Sequence, residues 1–219
     1  MKRMRTRITS FLFADYFFHA PHDAKRLVVL LHGYEQSGEK MMEKLKSVLP
    51  DDAAILAPNG PFPLPRRTET GYRMGFSWYF WNPFTDEYYV DMEIAVGFIG
   101  ELVRDITSQL GKPDLPVTLI GFSQGGYLAP FIAQAMPKVD HVIGLGCEFL
   151  VDELEHPVKY RMDAVHGAKD DVVSCENAKK AHQELVRRGV KGRFYELADT
   201  GHRVDAPMQA LISDLIKAR

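Results

Sequence analysis

Five consecutive residues, Gly121-Phe122-Ser123-Gln124-Gly125, carry the sharpest chemical signal in the sequence. A serine between two glycines, followed by a third at Gly126, suits a tight turn that leads from a strand into a helix. The reason is steric: strand and helix approach too closely at such a turn to leave room for flanking side chains. The turn lifts the hydroxyl above the C-terminal edge of a sheet, over the free N–H groups that open the helix. Val117-Thr118-Leu119-Ile120 before it reads as a strand, and Gln124 to Met136 after it as an apolar helix. Ser123 is the expected nucleophile.

A serine hydroxyl attacks a carbonyl only when a base takes its proton, and that base needs an orienting partner. Eight histidines compete for the role. His19 and His22 have H-x-x-H spacing, but without a third ligand or a helix this is no zinc motif. His141, His156 and His182 carry no local signature. His202 lies in Asp199-Thr200-Gly201-His202-Arg203, between the last expected strand and the last expected helix, so it belongs to the same sheet edge as the serine. For the acid, His166-Gly167-Ala168-Lys169-Asp170-Asp171 follows another strand. Chemistry alone does not separate Asp170 from Asp171, and Glu148 and Asp152 are alternatives after the preceding strand. The chain order Ser, Asp, His is that of α/β-hydrolases and not of chymotrypsin- or subtilisin-type enzymes.

Acyl transfer also needs donors for a developing oxyanion. Leu30-Leu31-His32-Gly33-Tyr34-Glu35-Gln36-Ser37-Gly38 starts at a strand end and leads into a helix. It offers the Tyr34 N–H as one donor, and the turn offers the Gln124 N–H as the other. Gly33 and Gly38 also have the spacing of a phosphate-binding loop. Glu39-Lys40 follows where Lys-Ser/Thr is required, and that excludes it.

The elements that must position these residues follow from apolar patterning. Arg26 to Leu31 is a continuous apolar run, the mark of a strand covered on both faces. Glu39 to Leu49 is helical, Ala53 to Ala57 a short strand, and Phe62 to Tyr89 irregular and rich in proline and aromatics. Asp91 to Leu110 repeats apolar residues at helical spacing. His141 to Leu145 and Met162 to Val165 are strands. Ser174 caps a helix running to Arg188, stopped at Gly189. Val190 to Leu197 is the last strand and Pro207 to Lys217 the last helix. Strand and helix alternate from Leu27 onward, which predicts a mostly parallel sheet with helices on both faces, in one domain over residues 1–219. About fifteen residues separate the strands at His141 and Met162, too few for a cap domain.

At the N-terminus, Lys2, Arg3, Arg5 and Arg7 precede an apolar run from Ile8 to Ala14. This has the outline of a signal peptide, but the run is short and broken by Asp15. An antiparallel hairpin with the following Tyr16-Phe17-Phe18 is the preferred reading. A formal charge of −2 gives no reason to expect nucleic acid. No stretch approaches the roughly 20 apolar residues of a membrane span, so no stable membrane insertion is expected. Cys147 and Cys175 are too few for a disulfide framework, and a reducing, cytoplasmic setting is the expectation.

Leu31-His32-Gly33, Ala57-Pro58-Asn59-Gly60-Pro61, the run Gly121 to Gly126, His166-Gly167 with Asp170 and Val173, and Gly201-His202 together resemble the phospholipase/carboxylesterase family, which includes the acyl-protein thioesterases. The resemblance implies the α/β-hydrolase fold. It selects Asp170 over Asp171, because the family's acid stands four residues after the histidine of that motif. It also implies that Ser77-Trp78-Tyr79 lines an acyl pocket, so Trp78, Tyr79 and Phe122, next to the serine, are the expected substrate contacts. Three features depart from the pattern. Glu35 stands where the family commonly has Gly, Gly146-Cys147-Glu148 replaces a Ser-Gly pair, and Phe76 to Tyr89 is unusually aromatic.

The expected function is a serine esterase cleaving short- to medium-chain acyl esters without metal or organic cofactor. The alternatives are an acyl-protein thioesterase or lysophospholipase and, in another class, a catalytically silent binding protein on the same fold. The expected partner is a small-molecule or lipid-like acyl ester, and a homodimer is left open.

Overall fold

The computed structural model describes residues 13–217. Its strands are β1 (Tyr16–His19), β2 (Arg26–Leu31), β3 (Ala53–Pro58), β4 (Phe62–Thr68), β5 (Gly71–Ser77), β6 (Phe80–Asn82), β7 (Glu87–Val90), β8 (Val117–Phe122), β9 (Val139–Leu145), β10 (Arg161–Gly167) and β11 (Phe194–Leu197). The helices are α1 (Gly38–Leu45), α2 (Met92–Gln109), α3 (Gln124–Ala135), α4 (Cys175–Arg187) and α5 (Ala206–Lys217). One sheet runs in the order β1-β3-β2-β8-β9-β10-β11. All its pairings are parallel except that of β1 with β3, so β1 is an antiparallel edge. This is the α/β-hydrolase architecture. The expected hairpin's second strand is β1; most of its first falls on residues 8–12, outside the described residues.

Strand alternation assigns the core. In β2, Leu27, Val29 and Leu31 pack with Ala95, Ile99 and Leu102 of α2, Leu128 and Ile132 of α3, and Leu185 of α4. Val28 and Leu30 face the other way, toward Met41 and Leu45 of α1 and Met208 and Ile212 of α5. A strand buried on both faces has no reason to alternate polar with apolar residues, hence its continuous apolar run. Polar side chains cap the helices. Ser37 accepts from Lys40 N–H, Asp91 from Glu93 N–H and Ser174 from Asn177 N–H.

The parallel register brings several strand ends to one edge. Leu31 lies beside Gly121, Phe122 beside Leu145, and Gly167 beside Leu197. The loops beginning at His32, Ser123, Gly146, Ala168 and Ala198 therefore leave the sheet on the same side, where ligands bind in open α/β sheets. Between β9 and β10 there is only a loop with a short 3₁₀ turn at Val151–Glu153, and no cap domain.

Two sequence expectations need correction. The stretch from Phe62 to Tyr89 is two hairpins, β4–β5 and β6–β7, each a separate two-stranded sheet. The last strand begins at Phe194, not Val190. Val190 N–H bonds back to Leu185 O and finishes α4, and Gly192 has φ 148°. Although Met162 N–H of β10 donates to Lys191 O, the regular ladder with β10 therefore begins only at Phe194.

Candidate active site

Ser123 is one of three non-glycine residues with positive φ among the described residues, at φ 49° and ψ −119°. Its N–H donates to Leu145 O at 2.8 Å, anchoring the turn to β9. A Cβ at Gly121 would lie 2.2 Å from Gly125 O, and one at Gly125 would lie 2.4 Å from Leu31 O. Backbone occupies both spaces, so glycine is a steric requirement on either side of the serine.

His202 places Nε2 3.0 Å from Ser123 Oγ and Nδ1 2.8 Å from Asp170 Oδ2. A carboxylate only accepts, so Nδ1 carries the proton and Nε2 keeps the lone pair that faces the serine. The loop bearing His202 docks on the loop bearing Asp170, with Lys169 N–H donating to Thr200 O at 3.0 Å. The Phe122 ring lies 4.9 Å from the imidazole and supports it from below.

The Asp170 side chain is fully buried. Its Oδ1 accepts from the N–H groups of Val172 and Val173 at 2.9 and 2.8 Å. Burial pushes the carboxyl up, but the N–H of Val173, then His202 and the N–H of Val172, outweigh it and hold Asp170 below the usual carboxylate range. Asp171 is exposed, and Asp152 pairs with Arg188 at 2.6 Å instead. The structure thus separates the aspartates that chemistry alone left equivalent.

Sequence reasoning overlooked His166 as a participant. Its Nε2 donates to Val173 O at 3.0 Å and lies 3.3 Å from Asp170 Oδ2, adding a second imidazole behind the acid. The only signal was the His-Gly spacing, which served as a landmark and not as a contact.

On the other side of the serine, Gln124 opens α3, so its N–H has no intrahelical acceptor. Its side chain, not foreseen to matter, ties the turn to the β5–β6 connection. Trp78 N–H donates to Oε1 at 3.1 Å, and Nε2 donates to Tyr79 O at 2.9 Å. The oxyanion-loop candidate is strapped to β5 by Glu35 N–H to Phe76 O at 3.0 Å and Phe76 N–H to Gln36 O at 2.9 Å. Glu35 takes the left-handed conformation, φ 59°, and its carboxylate pairs with Arg66 of β4. The residue that departs from the family pattern thus keeps a backbone geometry that favours glycine.

The three expected substrate contacts lie lower than foreseen. Trp78 has no exposed surface, Tyr79 is 8% exposed and Phe122 2% exposed. Trp78 Nε1–H donates to His32 O at 2.8 Å, so the indole braces the loop from inside. Burial of apolar area draws these rings into the core, where they support the site without forming its wall. An accessible aromatic surface on the oxyanion loop is instead offered by Tyr34, half exposed, with its ring edge-on to Phe80 at 6.5 Å and Phe80 5.8 Å from Phe62. Cys147 fills the space beside Gly126 and Gly144, where burial, with Glu148 and Asp170 adding, pushes its thiol strongly up. Among the described residues no group of three histidine, cysteine or acidic side chains is placed to hold a metal ion.

Fold and site together define a serine hydrolase that acts on carboxylic ester or thioester bonds. The profile of the phospholipase/carboxylesterase family matches residues 18–218, and the chain belongs to that family. Among solved structures it is similar to esterase PE8, with 22% identity, a TM-score of 0.75 and coverage of 94% of this chain and 98% of the other. It is also similar to acyl-protein thioesterase 2 of Zea mays, at 16% identity and TM-score 0.71, covering 95% and 99%. The carboxylesterase of Bacillus cereus gives 13% identity and TM-score 0.73, covering 94% of each chain. No curated protein matches the sequence significantly. Among the described residues no helix is long and apolar enough to cross a membrane.

Proposed function

We propose that this protein is a carboxylesterase that cleaves short- to medium-chain acyl esters through an acyl-enzyme on Ser123. His202 Nε2 takes the hydroxyl proton as Oγ bonds to the ester carbonyl carbon. Asp170 holds the imidazole in the Nδ1–H tautomer and stabilises the imidazolium that forms. The carbonyl oxygen, now an alkoxide, is received by the N–H groups of Gln124 and Tyr34. Collapse of the tetrahedral intermediate expels the alcohol, which takes the proton back from His202. Water, deprotonated by the same nitrogen, then attacks the acyl carbon, and its collapse releases the acid and restores the serine.

The observation that carries this reading is the unbroken chain of hydrogen bonds from Ser123 Oγ through His202 to a buried, ionised Asp170. The chain-length preference rests on the open rim of Tyr34, Phe80 and Phe62 and on the short β9–β10 loop, which among the described residues forms no cap over a long acyl tail. The cytoplasmic setting is part of the proposal, supported by two unpaired cysteines among the described residues. The test is hydrolysis of p-nitrophenyl esters from acetate to laurate, beside acyl thioesters of matched length. Rates should be highest at short or middle lengths, and Ser123→Ala should lower kcat by at least about 10⁴-fold. Wild-type turnover in the Ala variant, or a fluorophosphonate label on another residue, would remove the serine from its role.

A further inference from the structure

We infer that His32 is a positioning residue of the oxyanion loop, setting the direction of the Tyr34 N–H by holding the carbonyl on the other side of the same peptide bond. The inference rests on the proposed function and deepens it.

His32 has no exposed surface and stands outside the Ser123–His202–Asp170 chain. Its Nδ1 lies 2.7 Å from Gly33 O, and its Nε2 lies 2.9 Å from the N–H of Gly60. An amide N–H can only donate, so Nε2 must present a lone pair and the ring's proton must sit on Nδ1. That proton is donated to Gly33 O. The β3–β4 connection thus selects the tautomer, and the tautomer reaches the loop.

Geometry then carries the effect across one bond. In a trans peptide the carbonyl and the N–H point in opposite directions within one plane. Fixing Gly33 O toward His32 therefore turns the Tyr34 N–H away from His32. Gln36 N–H, at 3.1 Å from the same oxygen, adds a second hold. Among the described residues the Tyr34 N–H itself has no hydrogen-bond acceptor. It is a donor kept vacant at the mouth of the loop, as an oxyanion hole requires.

The ring is itself held. Its centroid lies 4.7 Å from the Trp78 ring at a 30° tilt, and the Trp78 indole N–H bonds His32 O. Burial lowers the imidazole pKa to about 4, although the Gly33 carbonyl pulls the other way. The ring therefore stays neutral at physiological pH. An imidazolium would aim a second N–H at Gly60 N–H and destroy the arrangement. Without His32 only the Gln36 N–H still holds the Gly33 carbonyl, and the Gly33–Tyr34 peptide can more readily rotate to present that carbonyl to the alkoxide, where it repels.

The two amide replacements separate the ring's roles. His32→Asn keeps an N–H near the Nδ1 position, within reach of Gly33 O. His32→Gln places its amide near the Nε2 position, serving Gly60 and releasing Gly33. Ester hydrolysis and binding of a trifluoromethyl ketone, whose hydrate-like adduct with Ser123 carries an oxyanion, are measured for both variants. Thermal melts confirm folding. In the Gln variant kcat should fall about 10²-fold with KM within a few-fold, and the ketone should lose affinity in parallel. The Asn variant should stay within about tenfold of wild type in both readouts. A folded Gln variant with wild-type kcat and ketone affinity overturns the inference. So does a folded Asn variant as impaired as Gln is expected to be, and that measurement decides the matter if the Gln variant does not fold. A wild-type protein without esterase activity fails earlier and differently, taking the proposed function down with this inference.

Discussion

Strand β10 carries one aspartate near its start and leads to another just past its end, and each holds a histidine. At the start, His141 Nε2 lies 2.7 Å from Asp163 Oδ2; past the end, His202 Nδ1 lies 2.8 Å from Asp170 Oδ2. Both carboxylates are fully buried. By distance alone the pairs are equivalent. They differ in what else the carboxylate meets. Asp163 is shared with the Arg161 guanidinium, at 2.5 and 3.0 Å, and with Arg193 N–H at 2.7 Å. Asp170 meets only backbone N–H groups and imidazoles. A full positive charge already answers Asp163, whereas only dipoles answer Asp170, so its charge remains available when His202 becomes an imidazolium. The histidines differ as well. His141 is 1% exposed, while His202, 16% exposed, turns its second nitrogen to a serine at the sheet edge. A histidine–aspartate pair becomes chemical machinery only where its charge is left unneutralised and its far nitrogen faces a nucleophile.

The largest effect expected from this contrast is on turnover. Asp170→Asn should lower kcat/KM by about 10⁴, because an amide favours the wrong imidazole tautomer and offers no charge to the imidazolium. Asp163→Asn should leave the rate per folded molecule within a few-fold of wild type. Active sites are counted by burst titration, so that loss of folded protein is not read as loss of chemistry. Equal per-site losses in the two variants would break the distinction between the pairs.

Next in size is stability. Asp163→Asn leaves Arg161 and His141 without their anion, a mechanism that costs several kcal/mol when the partners are buried. The Arg161 side chain is 39% exposed, so about 3 kcal/mol is expected, read as a lower urea midpoint. The pH dependence sharpens the point. Burial pushes the Asp163 carboxyl up, but His141, Arg161 and Arg193 N–H together lower its pKa to about 2. The unfolded chain titrates near 3.9. Its contribution is therefore complete above about pH 4 and fades as pH falls from there through about 2. An Asn variant whose acid unfolding matches wild type in slope over that window would show that Asp163 does not anchor the sheet.

Ser123, His202 and the loop that carries Asp170 stand out in the sequence because each sits where a strand ends, and strand ends are marked by the break from apolar runs to Gly-rich or polar turns. The choice of Asp170 over Asp171, by contrast, came from the family resemblance alone. The parallel register then left little freedom in where those loops meet. The hairpins over residues 62–90 were illegible for a matching reason. Pro63, Pro65, Arg66 and Arg67 interrupt β4, and both its faces are largely exposed, so no period-2 apolar pattern develops. Trp78 was misplaced as a wall residue because an aromatic next to a site reads the same whether it braces the loop or faces a ligand. The roles of His32 and His166 depend on contacts across 28 and 7 residues, which no local pattern encodes.

The smallest effect lies at the serine itself. The pair at Asp163 is an arrangement in which the carboxylate's charge is met by Arg161, whereas Ser123 holds φ 49° and ψ −119° beneath its reactive hydroxyl. A non-glycine residue in so sparsely populated a region costs about 1–3 kcal/mol. Glycine adopts it freely, though it adds about 0.5–1 kcal/mol of unfolded-chain entropy to be lost on folding. Ser123→Gly should therefore abolish hydrolysis yet raise stability by roughly 1 kcal/mol, a higher urea midpoint at unchanged m-value. Ser123→Ala is the necessary control, since it removes the same hydroxyl while keeping a Cβ and hence the strain. If the Gly and Ala variants unfold at the same midpoint, the strain in the turn is no larger than the roughly 0.5–1 kcal/mol entropy cost of glycine, and the serine's exposure at the sheet edge costs the fold less than expected. A Gly variant that is the more stable of the two would place the site's strain in the backbone, opposite in sign to the stabilising pair at the far end of β10.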